Sequence, residues 1–270
     1  MTTANRIDSL FQRCREEKRP ALILYLTSGF PDEVTTRRLL PVLEEAGCDL
    51  LELGVPFSDP VADGPTIQKA SEDALRGGIT FNKTLEILKD FRAQSSMPAI
   101  LFGAYNPFLH HGLEESARDA ASAGADGFLA ADLPLEEAEP FRTALAAHGL
   151  HLILLAAPTS PDERLRAIAA NCGGFLYCIA LKGITGTRTE HDDSVIPYLK
   201  RVRAAAGALP IAVGFGIGTP EQAARMAPHA DAIVVGSALI TTIRKAAEAG
   251  QDPIPAVRDY VKSLAAALRG

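Results

Sequence analysis

The chain has 270 residues, 47% of them hydrophobic and 22% charged, and a formal net charge of −6. That composition supports a sizeable core and excludes a disordered chain. The acidic balance, with no long basic run, argues against nucleic acid or an anionic membrane as main partner, while a small anion held by backbone N–H groups stays allowed.

The first twenty residues are polar and charged, unlike a signal peptide, and no apolar run approaches the roughly 20 residues of a membrane span. Cys14, Cys48, Cys172 and Cys178 form neither a C-x-x-C pair nor a zinc spacing. They read as reduced, mostly buried thiols of a cytosolic protein.

An N-terminal helix is expected near 3–17. Eight short apolar runs follow: ALILYLT (21–27), LLELGV (50–55), AILFGA (99–104), GFLAAD (127–132), HLILLAA (151–157), FLYCIAL (175–181), PIAVGFG (210–216) and DAIVVGS (231–237). Each is near-continuously apolar and bounded by turn residues, as a doubly buried parallel strand should be.

Amphipathic helices are expected between them. EAGCD (45–49) and SAGAD (122–126), with AHGLH (147–151) as a looser version, place a Gly where a helix ends before a strand. TPEQ (219–222) reads as a Thr cap, Pro at the first helical position and Gln three residues on. SPDE (160–163) reads as the same arrangement. A further helix is expected near 253–268. A βα unit repeated eight times predicts an α/β fold, a (β/α)8 TIM barrel with extra N- and C-terminal helices, as one domain over 1–270. The rival, an open doubly wound sheet, lacks its early G-x-G-x-x-G loop.

In such a barrel the site lies at the C-terminal strand ends. In the second strand Leu51 and Leu53 share one face and Glu52 the other. If the leucines pack on helices, Glu52 points into the barrel mouth, where burial raises its pKa toward a general acid or base. The other reading is a structural Glu in a salt bridge. Asp63, before GPT, reads as a helix cap or as a second acid facing Glu52. Asp59 reads as a turn acid before proline.

The last two strands end in GFGIG (214–218) and GSALI (236–240). Exposed backbone N–H groups there, with Ser237 at a helix start, suit a phosphate. The loop after the sixth strand, around Lys182, Gly183 and Gly186, has the composition of a lid. Lys182 is a Schiff-base candidate or a solvated lysine. His110 and His111 read as a surface pair, and Phe102, Tyr105 and Phe108 as core and rim packing.

LELGVPFSDPVADGPTIQ (51–68) resembles the signature of the tryptophan synthase alpha subunit family. LTSGFPD (26–32), YNP (105–107), AADLPLEE (130–137), APTSPDERL (157–165), GITGTR (183–188) and GFGIGTPEQ (214–222) resemble its other motifs in the same order. The resemblance covers essentially the whole chain. It implies retro-aldol cleavage of indole-3-glycerol phosphate to indole and glyceraldehyde 3-phosphate. Glu52 would move the protons, Asp63 would hold the indole N–H, and Tyr177 would position them. Tyr25, Ile67, Leu129 and Phe215 would line the indole slot, with Thr185 on the lid near Asp63. Gly186, Gly216, Gly236 and Ser237 would hold the phosphate.

The resemblance implies no metal or organic cofactor, because the indole ring is the electron sink. It implies a pyridoxal-phosphate beta subunit as partner in an alpha2beta2 heterotetramer in the cytoplasm, with the loop at Asp59 and Pro60 on the contact surface. The chain departs from the family pattern at Ala104 and at Ala180, Leu181 and Lys182. A stand-alone indole-3-glycerol-phosphate lyase, a Schiff-base aldolase using Lys182 and a non-catalytic phosphate-binding module are the alternatives. A pure binder would need neither Glu52 nor Asp63.

Overall fold

The computed structural model describes residues 5–179, 195–214 and 216–269. Helix α1 (Arg6–Glu16) precedes β1 (Ala21–Thr27). Then come α2 (Glu33–Ala46), β2 (Leu50–Gly54), α3 (Pro65–Arg76), α4 (Phe81–Arg92) and β3 (Ala99–Gly103). Next are α5 (Tyr105–His111), α6 (Leu113–Ala123), β4 (Gly127–Ala130), α7 (Glu139–Ala147), β5 (His151–Ile153) and β6 (Leu155–Ala156). The rest comprises α8 (Asp162–Asn171), β7 (Leu176–Ile179), α9 (Val195–Ala206), β8 (Ile211–Gly214), α10 (Pro220–Met226), β9 (Ala232–Val235), α11 (Ser237–Glu248) and α12 (Pro253–Arg269).

The strands pair in parallel in the order β5-β4-β3-β2-β1-β9-β8-β7-β6. The two edges, β5 and β6, are consecutive pieces of one run interrupted only at Leu154. Leu154 O accepts from Tyr177 N at 3.0 Å, so this run pairs with β4 on one side and β7 on the other. The sheet therefore closes on itself as the expected eight-unit barrel, which leaves no exposed edge. β1, β2, β3, β4, β8 and β9 are buried throughout, which explains their unbroken apolar runs.

Gly47 (φ 111°) and Gly124 (φ 87°) end α2 and α6 in the left-handed conformation that a Cβ would strain. Thr219 and Gln222 form the expected capping box on α10. SPDE does not repeat it. Pro161, not Ser160, precedes α8 and gives no side-chain cap. Ser160 is held in a turn instead, its N–H on Ala157 O (2.9 Å) and its carbonyl accepting from Arg201 (2.7 Å).

Helix α1 covers the barrel base. Asn5 caps it and donates to Asp126 O (2.9 Å), while Phe11 packs on Phe175 at 5.7 Å. Helix α12 packs on α2, α10 and α11. Cys14, Cys48 and Cys178 are buried free thiols, and Cys172 is half-buried and free.

Candidate active site

The C-terminal mouth holds a cavity of about 370 Å³. Tyr25, Glu52 and Tyr177 line its floor, Asp63, Gly64 and Ile67 one wall, and the β8–α10 and β9–α11 loops the other.

Glu52 sits mid-strand, in register with Tyr25 of β1 and Ile100 of β3. It is 1% exposed, and its Oε1 has no hydrogen-bond partner among the described residues. No salt bridge to Glu52 is formed among the described residues. Burial pushes its pKa from 4.5 up to about 8, because the charged form has lost water.

Asp63 is not a helix cap. Gly64 occupies the N-cap position of α3 and Pro65 the first turn. Asp63 N–H closes a turn on Pro60 O (3.0 Å), and its carbonyl accepts from Gln68 Nε2 (2.9 Å). Backbone bonds thus hold the residue and leave its carboxylate to the cavity. Burial first, and the negative field of Asp132 second, raise its pKa to about 6. Asp132 is fixed at the end of β4, where its Oδ1 accepts from Tyr105 N at 2.7 Å.

Tyr25 and Tyr177 line the cavity with these acids. Burial raises both phenols well above their usual range, and the charges of Glu52 and Asp63 add to that. Two glycines make room for them. A Cβ on Gly54 would collide with the Tyr25 hydroxyl, and one on Gly214 with the Tyr177 hydroxyl. Thr27 Oγ1 donates to Tyr25 Oη at 3.2 Å, and Phe102 meets the Tyr25 ring edge-on at 5.2 Å. Phe102 therefore lines the cavity as well as packing.

The expected phosphate residues Gly216, Gly236 and Ser237 come together on one wall. Gly236 precedes α11 with no side-chain cap, so that helix start keeps N–H groups free for an anion. Tyr260 of α12 braces the facing loop from behind, its hydroxyl donating to Gly218 O at 3.0 Å.

Ile67 lines the cavity, whereas Leu129 is fully buried on β4 beside Phe102 and outside the lining. Thr185, Gly186 and Phe215, with the departures at Ala180, Leu181 and Lys182, lie outside the described residues. Ala104 is the extended residue before α5. His111 Nε2 hydrogen-bonds Asp119 at 2.9 Å and its ring packs on Phe81. Sequence reasoning missed Thr219, Gln222, Ala238 and Thr241 as lining residues. Thr219 and Gln222 stand at a helix start, where such residues already have a capping explanation, and Thr241 bonds back to Ser237 O within α11.

Comparison with known proteins bears on the family and the fold. A family model described as "Tryptophan synthase alpha chain" matches residues 11–269. The alpha chain of Geobacter sulfurreducens is 44% identical over 266 residues, covering 98% of this chain and 99% of that one. That of Geotalea uraniireducens is 48% identical over 236 residues, covering 87% and 88%. The structure of the alpha chain from Legionella pneumophila superposes with a TM-score of 0.91 at 37% identity, covering 98% of both chains. A Mycobacterium tuberculosis tryptophan synthase structure gives 0.89 at 38% identity, covering 99% of this chain and 100% of that one.

Proposed function

The chain belongs to the tryptophan synthase alpha chain family, a lyase family that splits indole-3-glycerol phosphate into indole and glyceraldehyde 3-phosphate, and we propose that Glu52 and Asp63 divide this cleavage between them. The observation that carries the assignment is Glu52: buried, without a cation among the described residues, and raised to about 8.

At neutral pH Glu52 enters the reaction protonated. It delivers its proton to indole C3. The carboxylate left behind takes the proton of the glycerol hydroxyl as the C–C bond breaks, and Glu52 ends as it began. The bonding electrons return to the indole ring as the aldehyde forms. Asp63, ionised above about 6, accepts a hydrogen bond from the indole N–H and stabilises the positive charge that develops on the ring. Tyr177 and Tyr25 hold the ring against the acids, with Ile67 and Phe102 as apolar walls. The phosphate sits against Gly216, Gly236 and Ser237. The ring accepts the electrons, so the step uses no cofactor.

This family works with a beta subunit. We assign the contact surface to the loop around Asp59 and Pro60, and the assembly to an alpha2beta2 heterotetramer in the cytoplasm. Val61 in that loop is 79% exposed, and the groove beside it is lined by Phe57, Pro60 and Leu75. Solvent exposure of apolar residues in a patch favours a protein partner over a stand-alone lyase. Among the described residues, no helix is long and apolar enough to cross a membrane.

The test is indole release from indole-3-glycerol phosphate, with and without a purified beta subunit. Release by the parent and none by Glu52→Gln is expected, with acceleration by the partner. Full activity in Glu52→Gln would refute the role of Glu52. A rate indifferent to the partner would favour the stand-alone lyase.

A further inference from the structure

The cavity poses an electrostatic problem. Its described lining includes Glu52 and Asp63 but no Lys, Arg or His. Among the described residues, a phosphate dianion bound there meets only neutral donors, so each of these carries more of the affinity. Backbone N–H groups at the start of α11 are one source. At α10 the situation is reversed, since the capping box occupies the helix terminus.

Gln222 Oε1 accepts from Gly218 N at 2.8 Å and from Thr219 N at 3.3 Å. Both partners are donors, so the oxygen must face them, and this fixes the orientation of the carboxamide. The NH2 group is thereby turned away from the helix end. Gln222, Gly218 and Thr219 line the cavity with Ser237, and Gly218 lies against Ala238. The neighbouring Glu221 is exposed and outside the lining. A capping box accepts Glu or Gln at this position, and the helix dipole favours the acid. Here the acid stands on the outer position and the amide on the position facing the cavity.

We propose that the Gln222 carboxamide NH2 is a side-chain ligand of the substrate phosphate, and that an amide at this cap position selects for a dianion where a carboxylate would repel it. The proposal rests on the phosphate assignment made above and adds a donor to it.

Gln222→Glu separates capping from binding, because Glu keeps the capping box while it replaces the donor with a negative charge. Gln222→Met loses both, and Ser237→Ala tests the phosphate wall itself. The measurements are thermal unfolding, inhibition by inorganic phosphate, and the split between KM and kcat for indole-3-glycerol phosphate. Gln222→Glu is expected to unfold like the parent, to raise KM and the phosphate inhibition constant about tenfold or more, and to leave kcat within about threefold. Gln222→Met is expected to lose affinity less, because it adds no charge, and to unfold earlier.

If Ser237→Ala weakens phosphate inhibition while Gln222→Glu binds like the parent, the Gln222 proposal is overturned and the phosphate wall stands. If neither variant changes phosphate inhibition, both are overturned.

Discussion

The two ends of the barrel treat buried and half-buried acids in opposite ways. At the base, three aspartates stand just before strands and repeat one arrangement. Asp49 Oδ2 accepts from Leu22 N (2.9 Å), Asp126 Oδ2 from Ala99 N (2.8 Å) and Asp231 Oδ2 from Ile211 N (2.7 Å). Each also meets an arginine: Arg19 grips Asp49 at 2.7 and 2.9 Å, Arg6 reaches Asp126 at 2.8 Å and Arg203 reaches Asp231 at 2.6 Å. At the mouth, Glu52 and Asp63 have neither cation nor backbone donor among the described residues, and burial raises both. Paired acids tie neighbouring strands together, while unpaired acids are kept ready to exchange protons. The same residue types thus serve stability at one end and chemistry at the other.

The sharpest way to break this contrast is Glu52→Gln. We expect indole release to fall at least about a thousandfold, because the proton carrier is gone. We also expect a gain in stability at high pH. A carboxyl raised in the folded state stabilises fully below its unfolded value of 4.5, and that stability is lost as pH rises through about 8. Removing the group removes the loss, so the melting temperature of Glu52→Gln should exceed the parent's at pH 8 and match it near pH 4.5. Equal melting curves at pH 8 would mean that Glu52 is not a desolvated acid.

Asp63→Asn comes next. One transition-state partner is worth about a hundred- to a thousandfold in kcat. For the parent, kcat/KM against pH should rise through about 6 as Asp63 ionises and fall through about 8 as Glu52 loses its proton. The variant should lose the rising limb and keep the falling one. A parent profile flat between pH 5 and 9 would count against both roles.

At the base, Asp49→Ala should do the converse. It leaves Arg19, whose side chain is 12% exposed, without its bidentate partner, and Leu22 N without an acceptor. Removing one member of such a pair costs about 3 kcal/mol of stability. Denaturant unfolding should show that loss while kcat at 25 °C stays near the parent's. A large fall in kcat without loss of stability would dissolve the division between the two ends.

Most of the architecture was legible in the sequence, for a physical reason. Parallel strands buried on both faces must be apolar almost throughout, so ALILYLT coincides with β1 and the other runs fall within a few residues of their strands. The glycines at 47 and 124 announce helix ends because few other residues adopt their φ. The site was less legible. Periodicity placed Glu52 inside the barrel but could not exclude a salt bridge, which depends on what side chains elsewhere in the chain do. Asp63 stands one residue before the true cap, a shift that only the turn on Pro60 decides. Leu129 belongs to the strand that the resemblance named, yet its side chain is buried away from the cavity, and no local pattern tells these apart.

The smallest expected effect tests whether the mouth also contains an element serving stability alone. Thr219 lines the cavity, but its hydroxyl is committed: Oγ1 accepts from Gln222 N at 3.3 Å, closing the capping box. Thr219→Ala removes that acceptor and leaves the Gly218 N–H bond to Gln222 Oε1 in place. Losing a threonine cap costs about 1 kcal/mol, which in a chain of this length lowers the melting temperature by about 2–4 °C. The carboxamide keeps its stronger anchor, so KM for indole-3-glycerol phosphate should change less than about threefold. A Thr219→Ala enzyme with an unchanged melting temperature and a tenfold higher KM would move the threonine from the cap to the ligand site, and the division between stabilising and reacting groups would then have to be drawn within the mouth itself.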